Sequence, residues 1–153
     1  MTASQLATSR PDEGRPVTLQ PPGWPKPRGY ANGMMAEGRV VVTGGVVGWD
    51  TEGNFSDSFA GQARQTFANI CAVLAEGGAE PHHLVRLTWY VTDVEEYLAA
   101  GKDVGRAYRE IIGPHYPAMA VVQVVRLVEA KAKIEIEATA VVPGCAASAG
   151  AVA

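Results

Sequence analysis

Polar and apolar residues alternate strictly near the carboxyl end of the chain. In residues 133–142, Glu135 and Glu137 stand between apolar residues such as Ile134 and Ile136. A repeat of two residues predicts a strand with one face in the core, because successive side chains of a strand point to opposite faces. The other face carries two carboxylates, so it is the first candidate for a functional surface.

Two segments repeat their apolar residues at the spacing of a helix. The first runs for about twenty residues, from a cap at Asp57 or Ser58 to the glycines at 77–78, which are typical of a helix end. The second covers 94–112 and contains Gly101 and Gly105, which weaken its first half and favour a break there.

The remaining apolar segments predict strands. They lie at 30–36, 39–49, 84–92 and 116–125. The run Val40–Val42 is apolar on both faces, which predicts a central strand that is covered on both sides. Gly44 and Gly45 follow in the same strand. They indicate either a structural bulge or a bare backbone N–H that faces a ligand.

These elements have the order β-β-α-β-α-β-β, which predicts an α+β fold: a two-layer sandwich with two helices on one face of a mixed sheet. No further helix remains to cover the second face. An uncovered apolar face predicts a homo-oligomer. Polar residues of that face, such as Gln123 and Glu135, would then pair between copies or line clefts.

The composition of the chain indicates its domain organisation and excludes one class of partner. The chain has 153 residues, 47% hydrophobic and 19% charged, which fits one globular domain. We place this domain at 18–143, between a loosely docked arm at 1–17 and a flexible tail at 144–153. The net charge is −3, and no basic run occurs, so nucleic acid is not an expected partner.

The sequence has no feature typical of a membrane protein or a metalloprotein. No apolar run is long enough to span a bilayer, and the amino end lacks the apolar core of a signal peptide. The two cysteines are isolated, which favours a cytoplasmic protein with free thiols. The three histidines show no spacing typical of a metal site, so we expect no metal.

Several segments together resemble the RidA family, also called YjgF or L-PSP proteins. They are Gly29-Tyr30-Ala31-Asn32, Val40-Val41-Val42-Thr43-Gly44-Gly45, Val85–Asp93, Pro117-Ala118, and Val124–Leu127 leading into Lys133-Ile134-Glu135-Ile136-Glu137-Ala138. The resemblance implies a chorismate-mutase-like fold and a homotrimer, in which the sheets form a central barrel with clefts between subunits. It also implies hydrolysis of enamines and imines to keto acids and ammonia, without a cofactor.

Carried over by motif, the resemblance makes Glu135 the residue that positions or activates water. Tyr30 and Gly44 or Gly45 would complete the pocket. The family's arginine, which follows Pro-Ala and grips the substrate carboxylate, is replaced by Met119. The glutamine after the family's glycine and the serine after its arginine are also missing, so the pocket is less polar than the motif predicts.

Methionine cannot replace the arginine electrostatically. A charged hydrogen bond contributes about 1.5–3 kcal/mol, so small 2-imino acids should bind roughly tenfold to a few hundredfold more weakly. This predicts a larger or less anionic substrate, such as an enamine from ring cleavage. His115, Arg86 or Arg126 could supply a cation from another direction.

Each assignment has a structural alternative. Glu135 could instead pair across the trimer with Lys133 or an arginine, and Glu137 is expected to form a structural pair of this kind. Tyr30 could be a strand-edge aromatic residue. Tyr97 either closes the cleft of a neighbouring subunit or packs within its own helix layer. The alternative function is a non-catalytic trimer that binds a small metabolite or a protein partner in the same clefts.

Overall fold

The computed structural model describes residues 14–144. Its elements are strand β1 (Val17–Leu19), strand β2 (Gly33–Met35), strand β3 (Arg39–Val42), strand β4 (Val46–Val47), helix α1 (Phe59–Glu76), a short 3₁₀ helix (Pro81–His83), strand β5 (Leu84–Val91), helix α2 (Val94–Ala99), helix α3 (Gly101–Ile111), strand β6 (Ala118–Gln123) and strand β7 (Ile134–Val142). Most of the predicted arm and tail lies outside the described residues.

The main sheet is mixed and has the order β3-β7-β5-β6, with β4 also paired to β7. β5 and β6 are parallel, whereas β3, β4 and β5 each run antiparallel to β7. Strands β1 and β2 form a separate small sheet. The helices pack on one face of the main sheet, around a core that includes Phe67, Leu87 and Ile136. The predicted α+β two-layer sandwich is therefore confirmed.

Helix α1 begins after Ser58, one of the two predicted caps, whose hydroxyl accepts a hydrogen bond from the Gly61 N–H at 3.1 Å. Gln62, in its first turn, is 1% exposed. Its amide donates to the Lys131 carbonyl, and its oxygen accepts from the Lys133 N–H at 2.8 Å. This buried amide fixes the entry of β7 against the helix layer, and so sets the position of the strand that carries the two carboxylates.

The helical segment predicted at 94–112 is divided into α2 and α3 at Ala100, beside Gly101, whereas the second predicted weak point, Gly105, lies within α3. Asp93 caps α2 by accepting hydrogen bonds from the N–H groups of Glu95 and Glu96. The break turns the chain so that α3 packs against α1.

The prediction that Val40–Val42 forms a central strand is wrong. β3 lies at the edge of the sheet and pairs only with β7. Val40 and Val42 are 61% and 63% exposed in the single chain. An all-valine run is typical of a strand buried on both faces, but the pattern cannot show whether the same chain supplies the cover.

The amino-terminal strands also differ from the prediction. Within 30–36 only Gly33–Met35 is a strand, and its partner Val17–Leu19 lies where the predicted arm at 1–17 meets the predicted domain. Three residues are too few to show a clear alternation, which explains why the strand was missed.

Candidate functional site

Glu135 lies on the sheet face that the helices leave open. On β7 it stands between Val47 of β4 and Tyr90 of β5, while the neighbouring Ile134 and Ile136 are fully buried on the helix side. The predicted alternation of β7 is therefore confirmed. Glu135 is half-buried and lies on a central strand of the sheet.

Within residues 14–144, the Glu135 carboxylate has neither an ion pair nor a hydrogen bond. Lys133, its suggested structural partner, instead places Nζ 2.5 Å from Glu96 Oε1 on helix α2. In the single chain the charge of Glu135 is thus not neutralised by Lys133, and its oxygens can accept protons from other molecules.

A bulge places the backbone of Gly45 against this carboxylate. Val42 pairs with Thr139, and Val46 pairs with Ile136. The three residues 43–45 therefore stand opposite only two residues of β7, which makes a β-bulge. A Cβ atom built on Gly45 would lie 1.8 Å from Glu135 Oε1.

Gly44 has a different environment, since a Cβ atom there would meet nothing within 4 Å. The Thr43 hydroxyl completes the bulge by accepting a hydrogen bond from the Ala138 N–H at 3.0 Å. The glycine pair thus forms a bulge, in which a Cβ atom would meet the candidate catalytic group at Gly45 but not at Gly44.

Glu137 has a partner in the same chain. The phenol of Tyr90 donates a hydrogen bond to Glu137 Oε2 at 2.9 Å. This bond, more than desolvation, raises the pKa of Tyr90. The sequence did not identify Tyr90 as a partner of Glu137, because this pairing depends on the register of β5 and β7.

Tyr30 and Met119 lie near each other at the start of β6. The Ala31 N–H donates to the Pro117 carbonyl at 2.9 Å, which fixes the segment of Tyr30 beside the strand that carries Met119. Tyr30 is 45% exposed. Met119 is partly buried and packs against the main core.

Met119 and Glu135 are far apart in one chain. Met119 is opposite Leu87 of β5, which is itself opposite Ala138 of β7, three residues beyond Glu135. Two strand spacings and three residues correspond to roughly 14 Å. Met119 also packs on the core side of the sheet, whereas Glu135 lies on the open face. The described chain alone does not bring these two residues together.

Two other predicted site residues have contacts that stabilise the fold. Tyr97 packs edge-on against Phe59 and Trp89, which corresponds to the helix-packing alternative within this chain. The prediction that Gln123 lies on the open face is wrong, because it stands opposite Val91, which is buried in the core on the helix side. Gln123 Oε1 instead accepts a hydrogen bond from the Val94 N–H at the start of α2.

Two residues that could supply a cation in place of the family's arginine, His115 and Arg86, have separate contacts within the chain. His115 Nε2 lies 2.6 Å from the Leu84 carbonyl oxygen, which requires a proton on that nitrogen. Arg86 Nε lies 3.4 Å from the Thr88 hydroxyl. Sequence inspection missed Lys26, which lines a cavity together with Tyr30 and His115.

No group of three or more potential metal ligands occurs in the described part of the chain. Of the helices between residues 14 and 144, none is long and apolar enough to cross a membrane.

Comparisons with known proteins agree on one family. The family model for Endoribonuclease L-PSP matches residues 25–142. A 2-iminobutanoate/2-iminopropanoate deaminase of Salmonella typhimurium is 32% identical over 68% of this chain and 80% of its own length. A RutC family protein of Pasteurella multocida is 30% identical over 68% of this chain and 81% of its own. A Rid-family protein of Yersinia pestis superposes with a TM-score of 0.72 at 27% identity, covering 84% of this chain and 99% of that structure.

Proposed function

The chain belongs to the RidA (YjgF/L-PSP) family, and on this basis we propose that it is a cofactor-independent hydrolytic deaminase of a reactive enamine or imine. Relatives at 31–32% identity are named 2-iminobutanoate/2-iminopropanoate deaminases. The observation that carries the proposal is the Glu135 carboxylate, which has no partner among residues 14–144 and is packed against the bare backbone of Gly45.

Glu135 would act as a general base. Water adds to the carbon of the N-protonated imine while the carboxylate accepts one of its protons, which gives a neutral carbinolamine. The protonated Glu135 then gives this proton to the amine nitrogen. The C–N bond breaks and ammonia leaves as the carbonyl forms, and the Glu135 carboxylate takes up the proton of the hydroxyl group. An enamine first takes a proton on carbon to become the N-protonated imine.

The proposed site requires more than one copy of the chain. Glu135 and Met119 are about 14 Å apart on opposite faces, by strand geometry. The open face also exposes Val40, Val42 and Val122, as expected of a surface covered by another copy. We therefore include in the proposal a homotrimer in which the region of Tyr30 and Met119 of one copy faces Glu135 of the next.

Sedimentation equilibrium tests this assembly. At micromolar concentration we expect three times the mass of the 16.1 kDa chain. Replacing Val42, on the open face, with Glu should dissociate the assembly and abolish activity, whereas replacing the exposed Val128 of the β6–β7 loop with Glu should change neither. A stable monomer that still hydrolyses imines would contradict the shared site.

Met119 bears on the substrate. Its apolar side chain offers no fork of donors for a carboxylate next to the reacting carbon, which supports a substrate other than the small 2-imino acids. An enamine from ring cleavage would fit an apolar and adaptable corner.

A Met119→Arg variant should gain activity toward 2-iminopropanoate. The added charge-assisted hydrogen bonds would contribute about 1.5–3 kcal/mol, so kcat/KM should rise roughly tenfold to a hundredfold. The imine is generated with an amino-acid oxidase, and its decay is followed spectroscopically. Met119→Leu, which keeps the corner apolar, should leave the rate unchanged. An equal rate for the Arg and Leu variants would show that this corner does not contact the carboxylate.

The second candidate function is a non-catalytic trimer that binds a metabolite or a protein partner in the same clefts. The packing of Met119 against the core favours it, since this corner is built as an apolar wall. Saturable heat of binding by a metabolite, without imine turnover over a range of side chains, would support this function and contradict the deaminase.

A further inference from the structure

A cavity of about 340 Å³ lies between the amino-terminal segment and the loop that precedes β6. Its walls include Tyr30, Lys26 and Met34 from the first segment and His115 and Tyr116 from the loop. This volume is in the range of pockets that hold a small organic molecule. The cavity is separate from Gly45 and Glu135, which are not among its walls.

The loop that carries Lys26 is held in place by two features. Prolines restrict its backbone at positions 21, 22, 25 and 27. The Gln20 amide donates to the Trp24 carbonyl at 3.2 Å and accepts from the Asn32 side chain at 2.8 Å. These bonds tie the loop to the segment of Tyr30, so the backbone of Lys26 is positioned before any ligand binds.

The cavity carries basic side chains and no acidic ones in its described walls. Its described walls contain Lys26 and the titratable His115, but neither Asp nor Glu. No ion pair to Lys26 is found among residues 14–144. His115 is fixed as part of the wall, because its Nε2 bonds the Leu84 carbonyl. A lysine and a tyrosine in the walls of one cavity, with no carboxylate among its described walls, are suited to an anion.

We propose that this cavity binds the carboxylate of a small organic anion through Lys26, with Tyr30 as the adjoining wall. The identification of that anion as substrate rests on the proposed function. In that case the substrate has a carboxylate several bonds away from the reacting imine carbon, because Lys26 approaches from the amino-terminal loop and not from the corner of Met119. Lys26 would thus supply the cation that β6 lacks at Met119, but at a different distance from the reacting carbon.

Binding can be measured without turnover. Glutarate, a stable dicarboxylate, is titrated calorimetrically into the full-length protein at low salt, with uncharged glutaramide for comparison. Lys26 is exposed, so its contribution is that of a solvent-screened pair. Lys26→Gln should weaken glutarate binding about fivefold and leave glutaramide unaffected. Arg28→Gln is the matched control, since Arg28 lies on the same loop but does not line the cavity.

A loss specific to Lys26→Gln supports the site. An equal loss in Arg28→Gln would assign the effect to general surface potential and overturn the proposal. The absence of glutarate binding to the wild type would overturn it as well.

A kinetic test separates this site from the deaminase activity. Imines generated from glutamate and from glutamine differ in the distal carboxylate alone. Lys26→Gln should lower kcat/KM about fivefold for the first and leave the second unchanged. Equal rates for both imines, with activity that still depends on Glu135, would overturn the role of Lys26 and keep the deaminase. Glutarate binding that depends on Lys26, without hydrolysis of any imine, would keep the anion site and overturn the deaminase.

Discussion

Glu135→Gln should hydrolyse imines about a hundredfold to ten-thousandfold more slowly than the wild type. Glutamine keeps the size of the side chain but cannot accept the proton of the attacking water, and general base catalysis contributes this much to many reactions. Among residues 14–144 the Glu135 carboxylate has no partner to lose. The free energy of unfolding should therefore change by less than about 0.5 kcal/mol. Imine decay and a urea titration of each protein give the two quantities.

Glu137→Gln is the matched control. Glu137 lies two residues further along the same face of β7 and accepts a hydrogen bond from Tyr90, which a glutamine oxygen can still accept. Its activity should stay within about threefold of the wild type. Equal losses in the two variants would mean that negative charge on the open face, not the position of Glu135, determines the rate.

Gly45→Ala should lower the rate about a hundredfold. The new Cβ atom would lie 1.8 Å from Glu135 Oε1, whereas real Cβ atoms keep at least 3.0 Å from such neighbours. The carboxylate must therefore move by at least about 1 Å, and a displacement of this size at a reacting group costs on the order of a hundredfold in rate. Gly45 does not have a positive φ, so alanine introduces no backbone strain of that kind.

Gly44→Ala should retain activity, because its Cβ atom would meet nothing within 4 Å in the single chain. The comparison is read from initial rates, together with the melting temperature of each variant. A Gly45→Ala enzyme as fast as the wild type would show that the carboxylate does not need its present position. A loss in Gly44→Ala equal to that in Gly45→Ala would assign the effect to the bulge as a whole.

Much of the fold follows from local patterns. The alternation in 133–142 identifies β7 and the face of Glu135, and the candidate caps Asp57 and Ser58 identify the start of α1 to within one residue. The two glycines at 101 and 105 indicate a break in the second helical segment, which lies beside the first of them. Each of these features depends on residues that are close in sequence, which is why the pattern alone predicts them.

Other features depend on contacts between distant residues. Val40–Val42 has the same pattern for a central strand and for an edge strand. The hydrogen bond from the Val94 N–H to Gln123 forms only because the loop after β5 brings the start of α2 next to the end of β6. The contact of Gly45 with Glu135 depends on an extra residue in one strand, and the sequence left a bulge and a ligand contact equally open.

Motifs identify candidate site residues but do not show how these residues are arranged in space. Motif matching assigns Glu135, Tyr30 and the position of Met119 to one pocket, whereas the single chain places Met119 and Glu135 on opposite sides of the sheet. Lys26 carries no motif signal at all. It becomes a candidate only because the proline-rich loop folds back beside Tyr30 to form a cavity.

The most direct test of the deaminase is the decay of imines in the presence of the wild-type protein. Imines from a range of amino acids are generated with an amino-acid oxidase, and their decay is compared with the spontaneous reaction in the same buffer. We predict faster decay for at least one imine, with ammonia released in equal amount and with larger side chains preferred over 2-iminopropanoate. Decay no faster than the spontaneous reaction across the whole range would contradict the account.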